Sequence, residues 1–194
     1  MTMSNGDFYA MLLRMKNIDR WCLMFNTRAE NLSEHSLECA ILAHALAVIG
    51  ITKFGRDYNA EKIATAAMFH DMSEIFTGDL PTPVKYYNDD IKTSYKSIEK
   101  IAEDKLLAKL DDDTRAYYSR LLAVNDRERM IIKAADKLCA YIKCEEELKR
   151  GNGEFGSAKE AAAKAIDTMD CPELQYFMSN YLSSFSKTLD EVSL

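Results

Sequence analysis

Residues 68–74 read MFHDMSE and place His70, Asp71 and Glu74 within five positions of an otherwise apolar segment. Charged groups there are costly unless something binds them. The chain has only three histidines, so each can be weighed. His35 opens an apolar helix in NLSEHSLECA, and His44 follows on the same segment. At about 100° per residue the two point to opposite faces, so one helix cannot bring both to one centre. Asp136 lies in MIIKAADKLCAYI, the most apolar part of a later helix. Carboxylates are rarely buried without partners, and a metal is one such partner. His35, His70, Asp71 and Asp136 would supply two imidazoles and two carboxylates from three helices. That set suits one divalent transition metal such as Zn, Co, Mn, Ni or Fe. A calcium cage wants more oxygens. Glu74, one helical turn on from His70, would share its face.

Taken singly, each residue has an ordinary alternative. His44 reads as a hydrogen-bonded core histidine, and His35 alone would read the same way. A lone His-Asp dipeptide is common by chance. Asp136 alone could be a structural acid paired with Lys137 or with backbone N–H groups. The ordered combination carries the argument: His on one helix, His-Asp on the next, Asp on a later one.

The elements that must position these groups are helical nearly throughout. Phe8, Leu12 and Met15 give Asn5–Lys16 a helical spacing. A turn follows through NIDRWCLMFNTRAENLS, and Ser33 is the expected N-cap of a helix to about Ile49, ended near Gly50. Cys39, Leu42, Leu46 and Ile49 form one apolar face of that helix, and Leu37, Ile41, Ala45 and Val48 a second. A helix apolar almost all round is expected to be central and buried. Asn59 caps a helix running towards Ile75. TGDLPTP at 77–83 reads as an ordered loop. Helices are predicted over 89–110, from DDDT at 111–114 to about 124, from Asp126 through Leu148, and near 157–168 and 173–184. No convincing strand alternation, repeat or linker appears. The fold class is all-α, a single helical-bundle domain over 1–194 with about eight helices.

Bulk properties narrow the function. The 194 residues are 47% hydrophobic and 29% charged, which fits a globular chain with a sizeable core. A net charge of −6 argues against a broad nucleic-acid or anionic-membrane surface. It leaves room for a small anion held by one or two local cations. Five cysteines without CxxC spacing read as thiols in a reducing compartment. The longest apolar run, LECAILAHALAVIG, is judged too short to cross a bilayer and carries Glu38 and His44. The expectation is a cytoplasmic protein with no membrane and no nucleic-acid polymer as partner.

The H…HD…D order on a helical chain resembles the HD-domain metal-dependent phosphohydrolases. IDRWCLMFNTRAENLSEHSLECA, MFHDMSEIFTGDLPTPVKYYN and KAADKLCAYIKCEEEL resemble, more narrowly, the bacterial YfbR-like 5′-deoxynucleotidases. The GDLPTPVKY and ENxSEHS segments are far more specific than the HD pair, and the resemblance covers nearly the whole chain. It implies hydrolysis of deoxyribonucleoside 5′-monophosphates to deoxynucleoside and phosphate, and a homodimer. By resemblance, His35, His70, Asp71 and Asp136 fall on the metal ligands and Arg20 on the group that holds the substrate phosphate. Glu74 falls on the catalytic acid that works with the attacking water. Asp79 falls on the residue that grips the sugar hydroxyl, and Trp21 on the aromatic against the 2′-carbon. Thr77, Thr82 and Lys85 are weaker lining candidates.

Elementary chemistry is compatible with those roles. Arg20 offers a permanently charged planar fork that suits phosphate; its plainer reading is a solvated surface arginine. Glu74 can orient or deprotonate a water, or instead hold His70 in one tautomer. Asp79 can present a carboxylate from a rigid loop, or make an Asx turn before Pro81. An indole against C2′ would leave a 2′-hydroxyl clashing and unsatisfied; the alternative is a core tryptophan. HD-domain proteins with two or more metals carry extra histidines between the HD pair and the final aspartate; this chain has none between Asp71 and Asp136, so the resemblance implies one metal per site and a monoester substrate. No feature reads the Watson–Crick edge, so broad base tolerance is expected. The competing readings are a phosphohydrolase of ribonucleotides or triphosphates, and a non-catalytic nucleotide-binding protein.

Overall fold

The computed structural model describes residues 7–85 and 87–192. The expected all-α class is found: no strand occurs among the described residues, and an isolated antiparallel bridge joins Asp19 to Asn31. Among the described residues, eight α-helices of six residues or more carry the fold: α1 (Asp7–Leu12), α2 (Leu32–Phe54), α3 (Ala60–Met68), α6 (Asp89–Leu107), α7 (Asp112–Leu122), α8 (Asp126–Lys149), α9 (Gly156–Asp167) and α10 (Pro172–Asn180). Two four-residue helices, α4 (Glu74–Thr77) and α5 (Thr82–Lys85), lie between α3 and α6.

The chain divides into two compact units. The first comprises Met1–Phe25, Ala29–Ser36 and Phe69–Ala123, and the second Asn26–Arg28, Leu37–Met68 and Val124–Leu194. The core of the first gathers Phe8, Met72, Leu106, Leu107 and Leu110, with the Tyr118 ring 5.1 Å from that of Phe8. The core of the second is larger and built on α2, α3, α8, α9 and α10, with Leu46, Ile63, Ile131, Leu138, Ile166 and Leu174 buried within it.

Several boundaries differ from expectation for identifiable reasons. The predicted first helix begins at Asn5, outside the described residues, and beyond Leu12 it tightens into a 3₁₀ turn over Leu13–Asn17. Asn31, not Ser33, caps α2: its Oδ1 accepts from the N–H groups of Ser33 (3.0 Å) and Glu34 (3.1 Å). The helix also runs through Gly50 to Phe54, and Gly55 turns the chain with φ 62°. Gly50 serves close packing, since a Cβ there would lie 2.5 Å from the Tyr58 ring. The predicted helix towards Ile75 stops at Met68. Thr82–Lys85 is helical, although 82 and 83 were expected in the loop; proline is tolerated in a helix's first turn, where its N–H is not needed.

The expectation that α2 is buried all round is corrected. Cys39, Ala43, Leu46 and Ala47 are fully buried, but Leu37, Ile41, Val48 and Ile51 are exposed along the other side. His44, expected as a core histidine, lies on that exposed side. At 23 residues α2 is also long and apolar enough, by length and composition alone, to span a bilayer. That overturns the judgement that the run is too short. Its packing in the second unit's core is that of a core helix.

Candidate active site

The first unit assembles most of the candidate residues, and it does so through three short devices. The Asp19–Asn31 bridge closes the loop between them, reinforced by the Leu32 N–H to Ile18 O bond (2.9 Å) and the Arg20 N–H to Glu30 O bond (2.9 Å). That sets Arg20 and Trp21 beside Glu30, and places His35 in the first turn of α2. The second device is a turn over residues 69–73. It is made of i→i+3 bonds, including Met72 N–H to Phe69 O (3.1 Å) and Glu74 N–H to Asp71 O (2.9 Å), and Met72 anchors it in the core. The third is the 78–81 loop, with Gly78 at φ 71°, which presents Asp79.

His70 and Asp71 therefore sit in a turn, not on a helix as the sequence suggested. Adjacent residues on a helix diverge by about 100°, whereas here they converge: His70 Nε2 lies 3.0 Å from Asp71 Oδ2. His35 Nε2 is 3.4 Å from the same oxygen. The three donor atoms lie within 4.8 Å of one another. With metal–ligand bonds of about 2.1 Å, donors around one tetrahedral ion stand roughly 3.4 Å apart. Two imidazoles and a carboxylate at this spacing fit a divalent transition metal. Burial pushes the Asp71 carboxyl up, but the charge of His70 and then the hydrogen bonds of both imidazoles hold it well below the carboxylate range. It is thus ready as an anionic ligand. Asp136 belongs to the second unit, half-buried on α8, with Oδ2 3.0 Å from Lys137 Nζ. It is not among the three clustered donors.

Glu74 begins α4 and is 4% exposed. Burial, then the negative charges of Asp71 and Asp79, push its carboxyl up to about 9. Lys85 Nζ stands 4.0 Å away and pulls the other way. Burial also raises Asp79 above its ordinary value, against the pull of Arg20. Lys85 donates to Glu99 Oε1 at 2.7 Å and stacks 4.8 Å from the Tyr95 ring centroid. Burial alone would lower its pKa, but Glu99 and Glu74 raise it. The Thr77 hydroxyl donates to Gly78 O (3.0 Å) and meets the Tyr95 hydroxyl at 3.1 Å. It fastens the end of α4 to α6. The Thr82 side chain lies outside those described.

Arg20 is no solvated surface arginine: its side chain is 11% exposed, and Nη1 donates to Glu30 Oε1 at 3.0 Å. Trp21 is half-buried and stands at φ 58°, the one non-glycine residue described with positive φ. That conformation costs about 1–3 kcal/mol and clusters at functional sites. Glu30, Tyr95 and Glu99 escaped the sequence reading. Only Glu30 left a trace, in the ENxSEHS segment.

The comparisons agree with this geometry. Among solved structures, an HD-domain phosphohydrolase from Listeria innocua superposes with a TM-score of 0.81 at 22% identity, covering 94% of this chain and 90% of its own. The cyanophage S-2L HD phosphohydrolase, solved with dA and one catalytic zinc ion, gives 0.63 at 19% identity over 92% of this chain and 96% of its own. The fold is that of the HD-domain phosphohydrolases. The model of the 5′-deoxynucleotidase YfbR-like family matches residues 7–185. The 5′-deoxynucleotidases YfbR of Salmonella paratyphi B and Salmonella newport are each 51% identical over 98% of both chains. The chain belongs to the YfbR-like 5′-deoxynucleotidase family.

Proposed function

We propose that this chain is a metal-dependent 5′-deoxynucleotidase that hydrolyses deoxyribonucleoside 5′-monophosphates to deoxynucleoside and phosphate. The observation that carries the reading is the His35–His70–Asp71 cluster with Glu74 buried beside it. The 51% identity to enzymes of that name supports it. Asp136 is proposed as the fourth ligand on the sequence order and the family resemblance. One divalent ion per subunit is proposed, with Zn, Co, Mn, Ni and Fe all suited to the donors.

When bound, such an ion would neutralise a phosphate oxygen and lower the pKa of a water. The protein's own groups do the rest. Arg20 grips the phosphate through its planar fork. Glu74, holding a proton in the metal-free site, is ionised more readily once a cation stands near it and can then take a proton from the attacking water. Asp79 accepts from the sugar hydroxyl. Trp21 lies against C2′ and excludes a ribose. Lys85 and Thr77 support Glu74 and the loop that follows it.

A homodimer is proposed on the family resemblance, and cytoplasmic location on the thiols and overall composition. Because the family match spans residues from both units, 1–194 is proposed to work as one domain. The deciding experiment is phosphate release from dAMP and AMP by protein stripped of metal and then given Co, Mn or Zn. Metal-dependent release from dAMP with little from AMP is expected. Equal rates would remove the Trp21 gate, and no release with any metal would leave a nucleotide-binding protein.

A further inference from the structure

Glu30 is buried, 6% exposed, and its carboxylate divides its two oxygens between two neighbours. Oε1 accepts from Arg20 Nη1 at 3.0 Å. Oε2 accepts from Trp21 Nε1 at 2.8 Å. Its backbone carbonyl accepts from the Arg20 N–H at 2.9 Å, and Oε1 also stands 3.8 Å from His35 Nδ1. From the geometry of this single side chain we infer that Glu30 is a positioning residue that sets both the phosphate grip of Arg20 and the sugar selectivity of Trp21. The inference rests on the roles proposed for those two residues.

Three features make the hold specific. Trp21 stands at φ 58°, a conformation that persists only where the surroundings over-determine it. Its backbone N–H faces the Asp79 carboxylate and lowers that group's pKa, so the residue that carries the indole also meets the proposed sugar-binding loop. The Arg20 guanidinium lies 5.9 Å from the Trp21 ring centroid. A rotation of either group would disturb the other. Glutamine cannot replace Glu30: one of its two terminal atoms is an NH₂ donor, and both Arg20 Nη1 and Trp21 Nε1 are donors only. One contact would then set donor against donor. Aspartate keeps the charge but is one methylene shorter, so it can reach one partner and not both.

A buried ion pair of purely structural value would slow both substrates alike when broken. A positioning residue changes their ratio. The test compares Glu30→Gln and Trp21→Phe, the second removing the indole N–H while leaving Arg20 and Glu30 paired. In each, kcat/KM for dAMP and AMP is measured with a saturating metal. The deoxy-to-ribo ratio is expected to fall at least tenfold in both variants. Glu30→Gln should also raise KM for dAMP. The double variant should lose less selectivity than the two single losses combined, because both substitutions act on the one Arg20–Glu30–Trp21 arrangement.

A second readout needs neither metal nor activity. Trp21 is the only tryptophan in the chain, so intrinsic fluorescence reports on it alone. Acrylamide quenching of the metal-free protein is expected to rise at least twofold in Glu30→Gln. Ratios within twofold of the parent in both variants, with unchanged quenching, would overturn the inference. If Glu30→Gln does not fold, an unchanged ratio in Trp21→Phe overturns it. If the parent releases no phosphate from dAMP, the failure belongs to the deoxynucleotidase reading, and quenching alone decides for or against Glu30.

Discussion

Two glutamates, one in each unit, are buried to almost the same degree, Glu74 at 4% and Glu147 at 0% exposed. They titrate in opposite directions. Burial pushes Glu147 up, but Lys143 Nζ donates to it at 2.6 Å, the Thr27 hydroxyl at 2.6 Å, the Thr27 N–H at 2.8 Å and Asn152 Nδ2 at 2.9 Å. Those bonds hold it well below the usual carboxylate range. Glu74 Oε2 is buried and accepts no hydrogen bond among the described residues. Its nearest charges include two carboxylates, and it is pushed up to about 9. Burial alone is thus a poor guide to what an acid does. The donors around it decide whether it clamps structure or holds a proton for chemistry.

The largest effect that tests this contrast is on catalysis. Glu74→Gln should lower kcat by roughly 10²–10⁴-fold while metal content per subunit, measured by mass spectrometry, stays the same. Lost metal would make Glu74 a ligand and erase the distinction. Next in size is Glu147→Ala, which leaves Lys143 buried without its carboxylate. We expect a loss of about 3–5 kcal/mol, read from urea unfolding. A loss below 1 kcal/mol would mean that the clamp is not structural.

The contrast also predicts opposite pH dependences. Glu74 is raised from its ordinary 4.5 to about 9. Its folded state therefore binds the extra proton, so its stabilisation is full below 4.5 and is lost as pH rises through about 9. Metal-free parent protein should lose stability relative to Glu74→Gln between pH 5 and 9. Glu147 is lowered from 4.5, so its stabilisation is present above that value and lost as pH falls below it. Glu147→Gln should flatten only the acid limb. Identical pH profiles for the two variants would break the comparison. The smallest effect is expected at an exposed pair: Lys100 and Asp104, 3.0 Å apart on α6, should contribute less than about 0.5 kcal/mol. Lys100→Ala followed by urea unfolding checks it.

The sequence by itself determined a good deal. Helical periodicity fixed the all-α class and placed α6 through α10 within a few residues; in the structure Asn88, Asp111 and Asn125 cap α6, α7 and α8 by accepting from the first-turn N–H groups they precede. The ordered H…HD…D pattern named His35, His70 and Asp71, which the structure brings together. The tertiary structure decided what periodicity cannot express. The HD pair lies in an i→i+3 turn, where adjacent side chains converge on one point. α2 passes Gly50 because a ring, not a chain reversal, needs the space there. The sequence also gave no reason to assign Glu30 two partners on the far side of a loop. Local patterns fix which residues form helices, since capping and propensity act within a few residues. Convergence of side chains across loops depends on packing between segments distant in the chain, and that alone put Glu30 between Arg20 and Trp21.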